Sequence, residues 1–183
     1  MSLEGLQFVN TDNNYNPIDL SKSFLTKKTL PNQVSIQEGF NVELYEVNKN
    51  LAFIKNFGNV AAFKDDTSAL LIDTGMGVSS VQVVSKLKEW GIENVEFIIY
   101  THGHVDHVTG TDYIINAFEN SNTEVIGHKN IVNRFDRYKK TIGYNVLLTK
   151  DSLDYLLRFF LMNLLILIQH TMIVMNLNLT IPY

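Results

Sequence analysis

Cysteine is absent from the 183-residue sequence, which excludes disulfides, thiolate metal ligands and a cysteine nucleophile. Any metal ion must therefore be held by nitrogen and oxygen atoms. A surplus of basic residues is also missing, because 15 lysine and arginine residues stand against 19 aspartate and glutamate residues, for a net charge of -4. Such a chain offers no broad cationic surface to nucleic acid or anionic lipid. We therefore expect a small-molecule substrate and no nucleic-acid partner.

The N-terminal sequence MSLEGLQFVNTDNNYNPIDL lacks the basic flank and the apolar run of a secretory signal, so we expect a cytoplasmic location. With 45% hydrophobic and 19% charged residues, the chain can bury one sizeable core. We predict three regions: a loose polar arm over residues 1–20, one domain over residues 21–150, and an apolar tail over residues 151–183.

The middle of the chain begins with short strands and then alternates helices with strands. NVELYEVNKN and LAFIKNF are predicted strands joined at an Asn-Lys-Asn turn, and NVAAFKDD and SALLIDTG form a second predicted hairpin through Asp65 and Asp66. The segment SSVQVVSKLKEWG then predicts a helix that is capped by Ser79 or Ser80 and stopped by Gly91. Its helical spacing predicts one apolar face, made by Val81, Val84, Leu87 and Trp90.

VEFIIYTH is typical of a strand buried on both faces, since it is mostly apolar and rich in isoleucine, valine and phenylalanine. Three elements follow it: a helix from about Thr111 to Glu119, the strand TEVIG, and a helix from about Asn130 to Lys139. The fold class predicted from this order is α/β, with a mixed sheet and flanking helices.

The segment YTHGHVDHVTG places three histidines and an aspartate within six positions, at the end of that strand, where open α/β sheets put their ligand sites. His102 and His104 are two residues apart, so in extended backbone their imidazoles leave the same side and can converge on one ion. Asp106 and His107 follow where the backbone must turn, and they can bind a second ion. Gly103 is expected to leave room for the imidazoles and the ions. The grouping predicts a metal site.

HGHVDH, with LLIDTG upstream of it, resembles the metallo-β-lactamase-fold superfamily of metallohydrolases. The resemblance runs from about Val42 to Asn145 and implies the first αββα half of that fold. It also implies metal-dependent hydrolysis, in which a metal-bound hydroxide attacks an ester, a thioester, an amide, or a sulfate or phosphate ester.

The resemblance assigns roles to individual residues. It implies that His102 and His104 ligate a first metal ion and that Asp106 and His107 ligate a second one. The ions are expected to be zinc, with iron or manganese as alternatives. Asp73, from LLIDTG, is expected to orient the site through hydrogen bonds without ligating. The predicted catalytic residues are Asp106 and Asp73.

The segment IGHKNIVNRFDRYKKTIGYN is similar to one in uncharacterised superfamily members that distantly resemble alkyl sulfatases. Its basic cluster is either a solvated helix end or an anion-binding rim suited to a sulfate or phosphate ester, and consists of Arg134, Arg137, Tyr138, Lys139 and Lys140. His128 is either a capping or hydrogen-bonding histidine or an additional ligand.

From Leu153 onwards the tail carries only two charges, Asp154 and Arg158, and no segment after Asn145 resembles the ligands that the superfamily takes from its second half. A frameshift in an AT-rich gene would explain the loss of charge and would leave a truncated chain with impaired hydrolysis. A membrane span over Leu156–Met175 is disfavoured by the polar residues within it. Three functions stay open: a metal-dependent hydrolase, an inactive relative with a weak metal site, and a protein that associates with membranes or with its own copies.

Overall fold

The computed structural model describes residues 17–28, 41–118 and 122–149. Six strands form one mixed sheet, and they are β1 Glu43–Asn48, β2 Leu51–Lys55, β3 Val60–Asp65, β4 Ser68–Ile72, β5 Asn94–Ile99 and β6 Glu124–Ile126. The helices are α1 Pro17–Leu25, α2 Ser80–Glu89, α3 Val105–Val108, α4 Thr111–Ala117 and α5 Asn130–Thr149. This arrangement confirms the predicted α/β class with a mixed sheet and flanking helices.

The sheet has the same order in space as in sequence, β1-β2-β3-β4-β5-β6. The first four strands are antiparallel, whereas β4, β5 and β6 run parallel. Both predicted hairpins are confirmed: Asn48 Oδ1 accepts the N–H of Asn50 at 2.9 Å in the first turn, and Asp66 lies at φ +54° in the second. Aspartate and asparagine suit these positions because they form local turns and tolerate the left-handed region.

One face of the sheet packs into the hydrophobic core. The core contains alternate strand residues together with residues of α2 and α4, among them Ile54, Leu71, Ile98, Leu87 and Ile114. Burying each such side chain contributes about 1.5–3 kcal/mol to the hydrophobic stabilisation. The intervening strand residues, such as Phe53, Leu70 and Phe97, are only half-buried. The prediction that β5 is buried on both faces is therefore wrong, since α2 and α4 contribute to the core on one face.

Helix α2 is confirmed, and so is most of its predicted apolar face, since Val84 and Leu87 are buried and Trp90 packs against the core. Val81 is the exception: it is 55% exposed, and Val83 is buried instead. The N-cap residue is Ser79, whose hydroxyl lies 2.9 Å from the Met76 carbonyl and 2.8 Å from Asn56 Oδ1, so it caps no helix N–H. A short 3-10 turn over Gly77–Ser79 precedes the helix.

The remaining elements extend or modify the predictions. Helix α5 runs to Thr149, about three turns beyond the predicted end, and α1 begins inside the predicted N-terminal arm. The tail over residues 151–183 lies outside the described residues, and so do the frameshift and membrane-span hypotheses. Within the described ranges, no helix is both long and apolar enough to cross a membrane.

Candidate metal centre

The residues of the histidine motif lie at the edge of the sheet where the parallel strands end. Asp73 follows β4, the segment 101–107 follows β5, and His128 follows β6. The ends of β4 and β5 are joined by the backbone, because the N–H of Asp73 donates to the carbonyl of Ile99 at 2.9 Å. The carboxyl ends of parallel strands are where α/β sheets form ligand sites, so the topology brings the predicted residues to one place.

Asp73 is the most thoroughly hydrogen-bonded side chain of this edge. It is 4% exposed and lies at φ +61°, a left-handed conformation that aspartate tolerates better than most residues. Its Oδ1 accepts the N–H of Thr101 at 2.8 Å, and its Oδ2 accepts the hydroxyl of Thr101 at 2.6 Å and lies 2.8 Å from Nδ1 of His107. These contacts are the ones expected of a residue that orients the site.

The hydrogen bonds of Asp73 assign the tautomers of two histidines. An ionised carboxylate only accepts hydrogen bonds, so Nδ1 of His107 carries the proton and the neutral ring has its lone pair on Nε2. The single hydroxyl proton of Thr101 goes to Asp73, so Nδ1 of His102, at 2.9 Å from Thr101 Oγ1, must donate to that oxygen. Nε2 of His102 is then also unprotonated. Both rings are prepared to bind a cation.

The three imidazoles of the motif lie against one another. The ring centroid of His102 is 4.4 Å from that of His104 and 4.1 Å from that of His107. The rings of His102 and His104 therefore lie close together, and their binding of one ion stays a prediction. One ligand atom from each of Asp73, His102 and His107 lies within 4.8 Å of the other two, a spacing that suits a shared metal ion.

The contact between His107 and Asp106 also fits a cation. Nε2 of His107 lies 3.2 Å from Oδ2 of Asp106. In the neutral ring this nitrogen is an acceptor, as is the carboxylate oxygen, so the two groups repel unless a proton or a metal ion lies between them. Of the predicted ligands, His102 and His107 belong to the group whose ligand atoms lie within 4.8 Å of one another, and Asp73 is its third member. Asp106 joins this group only through its contact with His107, and Asp73 already accepts three hydrogen bonds.

His104 has a different environment from the other two histidines. Its Nε2 contacts a terminal nitrogen of the Arg134 guanidinium, and Nε of Arg134 donates to the hydroxyl of Tyr138 at 3.1 Å. Burial lowers the pKa of His104, and the cationic Arg134 lowers that pKa further. Nε2 of His104 thus faces the guanidinium of Arg134, unlike Nε2 of His107, which faces Asp106.

Two glycines allow the motif to approach other parts of the chain. Gly58 lies at φ +75°, and a Cβ placed there would lie 1.8 Å from the carbonyl oxygen of Asp106. A Cβ at Gly103 would meet Ile131 at 3.1 Å and Arg134 at 3.4 Å, so this glycine leaves room for α5. That it also leaves room for the imidazoles of its neighbours stays a prediction.

Sequence reasoning overlooked Gly58 and Thr101. The Asn-Phe-Gly-Asn turn between β2 and β3 indicates a glycine with positive φ, but nothing in it points to Asp106. Thr101 stands next to the motif, yet its bonds to Asp73 and His102 depend on long-range geometry. A third contact of this kind joins Thr74 to the motif, since its N–H donates to the carbonyl of His107 at 2.8 Å.

A cleft of about 390 Å³ opens beside the imidazoles, between the end of β5 and the first turns of α5. His128 lines this cleft and is exposed, and its Nδ1 accepts the N–H of Asn130 at 3.2 Å, as the capping interpretation predicts. Arg134 lines the cleft as well. The other cationic residues of the basic cluster are exposed: Arg137, Lys139 and Lys140. Lys139 lies 3.8 Å from Asp136, as in a solvated helix face.

A family model described as the metallo-beta-lactamase superfamily matches residues 54–152, more than half of the chain. The chain is 40% identical over 52 residues to ribonuclease Z of Clostridium kluyveri, and the match covers 28% of this chain and 16% of that protein. A metallo-beta-lactamase of Cronobacter sakazakii with a HARLDQ motif is 15% identical with a TM-score of 0.48, covering 55% of this chain and 39% of that one.

The subclass B3 metallo-beta-lactamase of Bradyrhizobium japonicum is 20% identical with a TM-score of 0.42, covering 50% of this chain and 36% of that one. The matched part of this chain thus spans about a sixth of the curated relative and less than two fifths of either solved structure.

Proposed function

Because the chain belongs to the metallo-beta-lactamase superfamily, we propose that its histidine motif forms a metal centre for hydrolysis. In this proposal His102 and His104 bind one ion, and Asp106 and His107 bind a second. Zinc is the proposed metal, with iron or manganese as alternatives, since imidazole and carboxylate ligands suit all three. The bond cleaved is an ester, a thioester, an amide, or a sulfate or phosphate ester.

The observation that carries the proposal is the placement of His107 between two carboxylates. One ring nitrogen lies 2.8 Å from Asp73 and the other lies 3.2 Å from Asp106. The hydrogen bond to Asp73 keeps the proton of the neutral ring on Nδ1, so the lone pair on Nε2 faces the carboxylate of Asp106. Carboxylate–histidine pairs of this kind commonly orient metal ligands in proteins.

A divalent ion held by these residues would act as a Lewis acid and would make a water molecule acidic enough to lose a proton and become a nucleophile near neutral pH. The chain's own residues supply the orientation. Asp73 holds His107 directly and holds His102 through the hydroxyl of Thr101. The cleft beside His102 and His104 offers space for the substrate next to the ligands.

The experiment is hydrolysis of a panel of chromogenic esters, thioesters, and phosphate and sulfate esters by the full chain, after chelation and after reloading with zinc, manganese or iron. We expect turnover that depends on added metal and that is lost in Asp106→Asn. Asp66→Asn is the matched control, because Asp66 is an exposed aspartate in the turn between β3 and β4. Turnover that survives chelation, or that survives Asp106→Asn, would refute the proposal.

The same panel tests the substrate class. The match to ribonuclease Z favours including a phosphate diester, although it extends over only 52 residues. The net charge of -4 does not favour a long nucleic acid as substrate. A small phosphate ester is therefore the first substrate to test.

A second candidate is a chain that binds metal weakly and does not turn over substrate. Its support is that, in the described part of the chain, the metal-type donors that gather here come only from Asp73 and the segment 102–107. Metal content below one ion per chain, with no turnover on any ester of the panel, would favour this candidate. Sedimentation of the full chain with and without lipid vesicles tests whether it forms homo-oligomers or associates with membranes.

A further inference from the structure

Arg134 is a cation on the wall of the cleft, directly beside the proposed metal ligands. It lies on α5, between the buried residues Ile131 and Phe135, and its side chain is half-buried. Those two neighbours anchor this turn of the helix in the core, so the arginine is presented from a packed element and not from a loop.

The guanidinium has hydrogen-bonding capacity to spare. Of its five N–H groups, Nε–H donates to the hydroxyl of Tyr138, and one terminal nitrogen contacts Nε2 of His104. In residues 17–28, 41–118 and 122–149, no carboxylate forms an ion pair with it. A half-buried arginine without a carboxylate partner keeps a full positive charge and free donors for a ligand.

Other residues that line the cleft also present hydrogen-bond donors. Because Nδ1 of His128 accepts the N–H of Asn130, the neutral ring carries its proton on Nε2 and is a donor there. Asn130 adds an amide to the lining, and no aspartate or glutamate is among the described residues that line this cleft. A volume of about 390 Å³ is in the range of small-molecule sites.

We infer that the cleft binds an anionic group of the substrate, a carboxylate or a phosphate or sulfate oxyanion, and that Arg134 is the residue that binds it. This inference rests on the proposed function, because it places the anion beside the bond that the metal centre cleaves. Arg134 is then a specificity-determining residue: it selects negatively charged substrates over neutral ones of the same shape.

The test compares Arg134→Gln and Arg134→Lys with Arg137→Gln, a matched control on an exposed position of the same helix. The substrates are an aryl ester with a terminal carboxylate and the same ester with that carboxylate methylated. For the metal-loaded full chain, we expect Arg134→Gln to lower kcat/KM for the anionic ester about 10- to 100-fold, mainly through KM, because a hydrogen bond to a charged group is lost. Activity on the neutral ester should fall less than activity on the anionic one, since the neutral ester lacks that bond.

The lysine variant should retain an intermediate preference, because it keeps the charge but loses the planar pair of donors. Arg137→Gln should match the wild type on both esters. Metal content and circular dichroism are measured for every variant, so that a loss of metal or of fold is not read as a loss of specificity.

Equilibrium binding separates the inference from the proposed function. Calorimetry of the full chain, before and after metal loading, uses phenylphosphonate and phenylacetate as anionic probes and benzyl alcohol as the neutral one. If no ester is hydrolysed but Arg134→Gln weakens the binding of an anionic probe at least tenfold, the hydrolase proposal fails and the anion site stands. The probe that binds more tightly then shows whether the site prefers a phosphonate or a carboxylate. If hydrolysis occurs and Arg134→Gln affects both esters equally or neither, the inference is overturned and the hydrolase proposal survives. Binding of the anions that is absent from the wild type, or unchanged in Arg134→Gln, also overturns the inference.

Discussion

Replacing Asp73 with asparagine should disturb the site more than its small change in shape suggests. The carboxylate accepts two hydrogen bonds from Thr101, at 2.8 and 2.6 Å, and one from His107, at 2.8 Å. Asparagine keeps one acceptor oxygen, but it turns the other position into an amide donor that faces Nδ1 of His107. The histidine must then accept at Nδ1, which moves its proton to Nε2, the atom that faces Asp106.

The magnitude follows from the bonds that are lost. Hydrogen bonds to a charged group contribute about 1.5–3 kcal/mol each, and the tautomer switch of His107 recovers part of the loss. We therefore expect the free energy of unfolding to fall by about 2–4 kcal/mol. Zinc affinity should fall about 10- to 100-fold, because the protonated Nε2 must first release its proton. Asparagine tolerates the φ of +61° at this position, so backbone strain should add little.

The assay combines urea denaturation of the metal-free chain with competition for zinc against a chelator of known affinity. The control is Asp66→Asn, which makes the same change at an aspartate with a similar φ of +54° but at an exposed turn. A folded Asp73→Asn variant that binds zinc within about twofold of the wild type would refute the tautomer reasoning. An equal loss in Asp66→Asn would mean that the effect comes from net charge alone.

Three more results are expected. Gly58→Ala should lower the free energy of unfolding by about 2–4 kcal/mol, because of strain at positive φ and a clash with Asp106. The control is Gly91→Ala, at φ +87° with nothing within 4 Å, which should lower it by about 1 kcal/mol in the same denaturation assay. Equal losses in the two variants would contradict the close approach of Gly58 to Asp106. Burial raises the pKa of Tyr100 above its ordinary value of 10.0, so the phenol stays protonated in the folded state while the unfolded chain ionises, and the free energy of unfolding should fall as pH rises past about 10. Tyr100→Phe should reduce that slope, and an unchanged slope would refute the assignment. Zinc at a hundredfold excess over its dissociation constant should stabilise the chain by about 2.7 kcal/mol and raise its melting temperature, and a chelator should reverse the shift; no shift would count against a metal centre.

The parts of the fold that the sequence predicts are those encoded locally. The four antiparallel strands are recognisable because apolar residues alternate between turns rich in Asn, Asp and Gly, and the structure places both hairpins accordingly. Helix α2 was also predicted, with Val84 and Leu87 on its buried face, but Val83 is buried where Val81 was expected. The N-terminal end of the helix is held by a hydrogen bond from Ser79 to Asn56, 23 residues away, which the spacing of apolar residues does not reveal.

The candidate site divides in the same way. His102 and His104 were predicted to lie close together, because side chains two residues apart in extended backbone leave the chain on the same side. The interactions that adjust the site come from distant positions: Gly58 lies against Asp106, and Arg134 contacts His104 across 30 residues. The sequence left the basic cluster as either a solvated helix end or an anion-binding rim, and only the packing of α5 separates Arg134 from its exposed neighbours.

The backbone around the motif is held from three directions, and this bears on how well the site can bind an ion. Thr74 donates its N–H and its hydroxyl to the carbonyl of His107, at 2.8 and 3.0 Å. Gly58 packs on the carbonyl of Asp106, and Gly103 packs on α5. Ligands that are already in place lose little conformational entropy when an ion binds, so more of the ligand–metal interaction remains as affinity. The order imposed by these contacts should therefore persist in the metal-free chain. Hydrogen exchange at the amides of Thr74 and His107 should be slow before zinc is added and should change little afterwards. Fast exchange that becomes slow only with zinc would show that the ion, and not the fold, orders the motif.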